Sequence, residues 1–253
     1  MGTTGTARTA GTTGASGAAL GPLSDDRALL GRTSTAERVA EILRTRIAEG
    51  HFPPGERLSE DAIGKALGVS RNTLRESFRL LTHERLLVHE LNRGVFVRVL
   101  AVEDVRDIYR TRRLVECAVV RGLGAPPFDV GGLEEAVEAG ELAADEQAWK
   151  GVATANIHFH RELVALAGSV RTDELMRGVL AELRLAFHVV DDPRGLHEPY
   201  LVRNRQFLEA LKSGDGAGAE RLLAAYLDDS RDQLIEVYAR LVAAGGTATA
   251  VRD

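Results

Sequence analysis

Apolar residues recur along this chain in two rhythms, and their change-over divides it. Ser34-Thr35-Ala36-Glu37 reads as a capping box. Val39, Leu43 and Ile47 follow at i, i+4 and i+8, one stripe of a helix that Gly50 stops. His51-Phe52-Pro53-Pro54-Gly55 is a turn. Ser59 caps a short second helix carrying Ala62, Ile63, Ala66 and Leu67, and Gly68-Val69 leaves room only for a tight turn. Ser70 caps a third helix that buries Leu74, Phe78 and Leu81. The rhythm then changes to period two. Leu87, His89 and Leu91 alternate, Asn92-Arg93-Gly94 turns the chain, and Val95, Val97 and Val99 alternate again, a two-stranded hairpin.

From residue 102 the helical rhythm returns and no strand pattern follows. Six helices are predicted, over Val102 to Leu123 (stripe Val105, Ile108, Val115, Val119), Leu133 to Ala144, Trp149 to Ala167, Asp173 to Val190, Tyr200 to Lys212, and Gly216 to about Val242. The fold class is therefore mainly α. An N-terminal winged helix-turn-helix over 33–100 precedes a C-terminal antiparallel helical bundle over 101–245. Residues 1–32 are rich in Gly, Thr and Ala and have few bulky apolar side chains, so they read as a disordered tail. They lack the apolar core of a signal peptide, and 246–253 read as a frayed tail.

Charge sharpens the division. The chain of 253 residues has net charge −5, but the tail carries +1, residues 33–100 carry +2 and residues 101–253 carry −8. The acidity belongs to the bundle, so the two modules face different partners. The single cysteine, Cys117, excludes an internal disulfide framework and a multi-cysteine zinc site, as in a reducing cytoplasm. No apolar run reaches the roughly 18 residues of a membrane span.

The outward side of the third helix carries Arg71, Arg75 and Arg79 at i, i+4 and i+8, with Asn72 beside them. Arginine donates two bonds to guanine O6 and N7, and asparagine pairs with adenine N6 and N7. The helix N-terminus and the Ser70 hydroxyl suit a phosphate. Arg93, at the hairpin tip, is placed for a minor groove or a phosphate. Solvated arginines paired with neighbours such as Glu76 are the plainer reading of such a stripe, and the short helix-turn-helix spacing weighs against it.

The run PPGERLSEDAIGKALGVSRNTLRESFRLLTHERLLVHELNRGVFV closely resembles the GntR family of bacterial transcription regulators. Pro54-Gly55, Leu58-Ser59-Glu60, Leu67-Gly68-Val69-Ser70-Arg71, Arg75-Glu76 and Arg93-Gly94 carry the likeness. It implies DNA contacts at Ser70, Arg71, Asn72, Arg75 and the Arg93-Gly94 tip; Arg79 joins them from the helix face. Asp61 stands where many relatives have Arg, and Thr73 where they often have Pro.

The bundle resembles the FCD effector domain of the FadR-type branch. Asp104 with Arg113 and Glu116, the Phe159-His160 pair and Ala210-Leu211-Lys212-Ser213-Gly214-Asp215 support it. Six helices rather than seven point to the VanR-like subgroup. The resemblance implies a homodimer, a palindromic double-stranded operator and a buried pocket for a small-molecule effector. Many such bundles hold a divalent metal through an Asp, a His four residues on, and two further His. Those positions fall here on Asn156, His160, Asn204 and Tyr226. Three of four ligands are changed, so the metal site is expected to be lost and no cofactor is expected. His158, two residues from His160, points away from it on a helix.

Asn156, His160, Asn204 and Tyr226 are then expected to line a neutral, hydrogen-bonding pocket, with Arg113 for an anion. An ion pair of Arg113 with Glu116 is the alternative for that side chain. The expected effector is an organic acid or an acyl compound. The function expected is that of a cytoplasmic, effector-responsive DNA-binding regulator, a repressor by preference. The alternative is a regulator or architectural protein with a degenerate, ligand-free bundle. An enzyme is not expected. The sequence shows no carboxylate–histidine signature, nucleophile elbow or Gly-rich phosphate loop.

Overall fold

A computed structural model describes residues 34–243. The tails expected over 1–32 and 246–253 lie outside the described residues. Ser34 caps α1 (Thr35–Ala48) by accepting from the Glu37 N–H at 3.1 Å, and the Ser34 N–H donates to the Glu37 carboxylate, completing the capping box. α2 (Glu60–Leu67) ends at Gly68, whose φ of 65° makes the tight left-handed turn into Ser70. α3 (Arg71–His83) buries Leu74, Phe78 and Leu81 as expected. It also buries Ser77, whose hydroxyl donates to the Ala36 carbonyl at 3.0 Å and so ties α3 to α1.

The wing differs in two respects. β2 (Leu87–Glu90) and β3 (Gly94–Val97) pair antiparallel, with His89 opposite Val95. A further strand, β1 (Arg57–Leu58), pairs with β3 on its other side, giving the order β1-β3-β2. Two residues are too few for a period, so the sequence pattern did not reveal β1. The expected alternation also ends early. Leu91 is 80% exposed at the loop, and the ladder stops at Val97, before Val99.

The second module is a bundle of six helices among the described residues: α4 (Val102–Gly122), α5 (Gly131–Asp145), α6 (Trp149–Ala165), α7 (Val170–Phe187), α8 (Pro193–Lys212) and α9 (Gly216–Ala243). α4 packs against α9, α5 against α6, and α8 against both α6 and α9. α8 starts seven residues earlier than expected. Asp192 caps it by accepting from the Gly195 N–H at 2.9 Å, and Pro193 takes the first helical position, where its missing N–H costs nothing. Pro199 sits inside the helix, tolerated within a well-packed stretch that buries Leu196, His197 and Tyr200.

One continuous cluster of buried apolar side chains runs from Val39 to Tyr238 and joins the two modules. At the joint α1 meets α7. There Arg184 Nε donates to the Ala48 carbonyl at 3.1 Å, and Arg98 reaches both Glu182 and Asp104.

Candidate DNA-reading face and bundle core

The first site is the exposed side of the winged helix. Ser70 Oγ accepts from the Thr73 N–H at 3.1 Å and lies 2.8 Å from the Thr73 hydroxyl. Threonine in place of the family's proline therefore supplies a backbone donor that proline lacks, and it tightens the start of α3. Beyond that cap Arg71, Asn72, Arg75 and Arg79 are all exposed, opposite the buried Leu74, Ser77 and Phe78.

Arg71, Arg75, Arg79 and Arg93 each rest on a carboxylate. Arg71 Nη2 lies 2.9 Å from Asp61 Oδ1. Arg75 Nε donates to Glu60 at 2.9 Å, Arg79 to Glu76 at 3.3 Å, and Arg93 pairs with Glu90. Exposed pairs of this kind are worth about 0–1 kcal/mol. They hold the side chains outward at small cost and yield readily to a phosphate or a base edge. Gly94, with φ 116°, lets β3 approach β1, and a Cβ there would stand 3.0 Å from Arg57 Nε. Arg57 itself is exposed beside the wing and shares a shallow cleft of about 400 Å³ with Arg71 and Arg75. It is a further cation of this face that sequence reading missed, because β1 had no readable pattern.

The second site is the bundle core. Asn156, His160, Asn204 and Tyr226 do come together. Asn156 Oδ1 accepts from Asn204 Nδ2 and from the Tyr226 hydroxyl, each at 2.9 Å. The His160 and Tyr226 rings meet edge to face at 5.0 Å. Burial pushes the Tyr226 phenol far above its ordinary value, so it is neutral.

Arg113 is not part of this cluster, and it does not pair with Glu116. It lies on the outside of α4, bonded to the Ala224 carbonyl at 3.0 Å and to Asp228 at 2.7 Å. Its neighbour Arg112 faces inward. Arg112, Glu116 and His160 form a chain of contacts almost fully shielded from solvent. Arg112 Nε donates to Glu116 Oε1 at 2.8 Å, and His160 Nδ1 lies 2.7 Å from Glu116 Oε2. The expectation of a core without charge is corrected accordingly: it contains a carboxylate balanced by a guanidinium, and a carboxylate–histidine pair that spacing did not show. Burial alone would raise the Glu116 carboxyl, but Arg112 and then His160 outweigh it and hold it below its ordinary value. Burial, reinforced by Arg112, pushes the His160 imidazole down against the pull of Glu116. His160 is therefore neutral, donates from Nδ1, and leaves Nε2 as an acceptor.

This donor set does not suit a divalent cation. The Asn156 oxygen at the family's carboxylate position already accepts two protein hydrogen bonds, and the phenol is protonated. That leaves His160 Nε2 and one amide oxygen, too few and too weak. Arg112 Nη2, His160 Nε2 and Asn204 Oδ1 are buried without partners. A void of only about 10 Å³, walled by Asn156, Asn204, Tyr200 and His197, has space for about one water beside Asn204.

Comparison with known proteins places both modules. The model of bacterial regulatory proteins of the gntR family matches residues 35–97, and that of the FCD domain matches residues 107–229. The chain is 30% identical over 194 residues to the Nta operon transcriptional regulator of Aminobacter aminovorans, covering 74% of this chain and 88% of that protein. It is 24% identical over 207 residues to the HTH-type transcriptional repressor RspR of Escherichia coli strain K12, covering 79% and 89%. A GntR transcriptional regulator from Rhodococcus sp. RHA1, solved by crystallography, matches with a TM-score of 0.79 at 48% identity, over 81% of this chain and 100% of that one.

Proposed function

The chain belongs to the GntR family of bacterial regulatory proteins with an FCD second domain and is a DNA-binding transcriptional regulator; from that premise we propose that it is a homodimeric repressor whose operator affinity is set by a small molecule in the bundle. The observation that carries the DNA half is the Ser70-capped start of α3, which presents Arg71, Asn72 and Arg75 to solvent above a fully packed underside. Paired α3 helices enter successive major grooves of a pseudo-palindrome. Arg71 and Arg75 read guanine and Asn72 reads adenine. Ser70, Arg79 and the Arg93-Gly94 wing tip hold phosphates and position the head.

The effector half rests on the partnerless atoms of the core. Arg112 Nη2 offers a donor, and His160 Nε2 and Asn204 Oδ1 offer acceptors, beside Asn156 and Tyr226. A protonated or hydroxylated organic acid supplies the complement, bound directly and without a metal. The void beside Asn156 and Asn204 is water-sized, so such a ligand selects a conformation in which the surrounding side chains have moved, and its energy of binding is spent on that shift. The regulator acts in the cytoplasm, where its DNA is. No helix among the described residues is long and apolar enough to cross a membrane. No reaction is assigned to the Glu116–His160 pair, whose part in this reading is to hold charge and hydrogen bonds in the core.

The test is selection of bound DNA from a random pool, followed by anisotropy titrations with the selected sequence. Arg71→Ala costs about 1–3 kcal/mol on the selected site and relaxes base preference. Arg93→Ala weakens selected and random DNA alike. Equal losses on both DNAs for Arg71→Ala would overturn direct readout by α3.

A further inference from the structure

A groove of about 910 Å³ lies at the joint of the two modules, walled by the end of α1 and by α5, α6 and α7. Four cations line it: Arg46, Lys150, Arg161 and Arg184. Its one lining carboxylate, Glu49, is engaged by Arg46 at 2.7 Å. Arg161 turns to Glu162. Lys150 and Arg184 have no carboxylate partner among the described residues. Such a surface is unexpected in a segment that carries a net charge of −8.

Arg184 is the most telling of the four. Nε donates to the Ala48 carbonyl at 3.1 Å, and Nη2 to Thr154 Oγ1 at 2.7 Å. Nη1 is buried with no acceptor, and so is Nε2 of the neighbouring His188. Burial lowers the affinity of Arg184 for its proton, with no carboxylate to oppose the effect. A guanidinium taken out of water without a counter-charge is destabilising unless something supplies the missing charge. The carbonyls of Ala48 and, at 3.5 Å, Lys150, with the Thr154 hydroxyl, are only partial compensation.

We propose that this groove is a second ligand site, separate from the bundle core, that binds a small organic polyanion carrying phosphate or carboxylate groups. The volume is that of an ordinary small-molecule site. Lys150 and Arg161, both exposed, take the outer charges, while Arg184, which lines the groove with Nη1 unpartnered, takes the inner one. The anion then touches the residue that fastens the last carbonyl of α1, that of Ala48, to the bundle. The site is distinct from the core cluster, because none of Asn156, His160, Asn204 and Tyr226 lines the groove, although Ala155 borders both the groove and the void beside Asn156.

The experiment is calorimetric titration of the full chain with sodium pyrophosphate and with citrate, at constant ionic strength. The expected result is saturable binding of at least one of them, with one site per chain. The stronger of the two identifies phosphate or carboxylate as the preferred group. The double variant Lys150→Gln/Arg161→Gln, which leaves the buried Arg184 untouched, weakens binding by about tenfold or more, whereas Arg110→Gln on the far face of α4 leaves it within about twofold. No saturable binding of either anion, or wild-type affinity in the double variant, would overturn the proposal. So would a loss of operator affinity in the double variant as large as its loss of anion affinity, which would assign the groove to the DNA backbone.

Discussion

Glu116→Gln isolates the charge on which the bundle core depends. The substitution keeps the shape of the side chain and an oxygen that still accepts from Arg112 Nε, now at 2.8 Å from Glu116 Oε1. It removes the negative charge between Arg112 and His160, all three of which are almost fully buried. Removing one partner of a buried ion pair leaves the other uncompensated, at about 3–5 kcal/mol. The retained hydrogen bond puts this case at the lower end, about 3 kcal/mol. For a folded body of about 200 residues, that lowers Tm by roughly 6–12 °C. Urea unfolding at pH 7 followed by circular dichroism measures it, with Arg113→Gln as the control. Arg113 makes an exposed pair with Asp228, so its loss costs about 0–1 kcal/mol. The gap between wild type and Glu116→Gln also depends on pH. The folded-state carboxyl is held below its ordinary value of 4.5, so its contribution is present above that value and is lost as pH falls through the folded pKa. The double replacement Arg112→Met/Glu116→Leu removes both charges together and is expected to be near neutral or stabilising, provided the core repacks. If Glu116→Gln were as stable as wild type to within about 1 kcal/mol, the guanidinium would have to be compensated elsewhere, and the reasoning would fail.

Three further outcomes follow from the same geometry. Asp61→Arg replaces the carboxylate beside Arg71 with a cation, so it is expected to raise affinity for random and selected DNA alike and to steepen the salt dependence by about 0.9 in log–log slope; an unchanged slope would place residue 61 off the DNA. His197 is pushed down to about 4 by burial and by Arg184, from an ordinary 6.5, so the folded state loses stability as pH falls from 6.5 towards 4, by about 2 kcal/mol between pH 7 and pH 5. Denaturant unfolding of His197→Phe, whose ring keeps the contact with Phe187, is expected to lack that part of the acid slope, and an identical slope would refute it. Elemental analysis of untagged protein purified without chelators is expected to find metal well below stoichiometry, whereas about one zinc or nickel per chain would show that the core rearranges to make a ligand set.

Much of this protein was legible because its signals are short in range. Caps at Ser34, Ser59 and Ser70, the stop at Gly68 and the stripe Leu74, Phe78 and Leu81 lie within a few residues of what they control. They fixed the helix-turn-helix and placed Arg71, Asn72 and Arg75 on its free side. The changes at Asn156, Asn204 and Tyr226 were likewise visible position by position, once the resemblance supplied the positions.

Other features depend on pairings that no local pattern encodes. β1 has two residues and exists only because β3 offers it an edge. Arg112 and Arg113 are adjacent, and about 100° of helical rotation decides which is sealed in the core and which meets Asp228. A hint was present, since Arg112 stands four residues after Ile108 and seven after Val105, on the buried stripe of α4. The counter-charge to Arg112, Glu116, stands at i+4 on the same helix, but that both are sealed together and closed over by His160, 44 residues from Glu116, is a matter of packing that no local pattern shows. The basic groove at the joint is assembled from α1, α5, α6 and α7 and has no contiguous sequence signal at all. Sequence alone set the elements and the chemistry each face carries, because periodicity and capping are local. Only the tertiary structure decided which charges meet, because burial and ion pairing depend on how the helices turn toward one another.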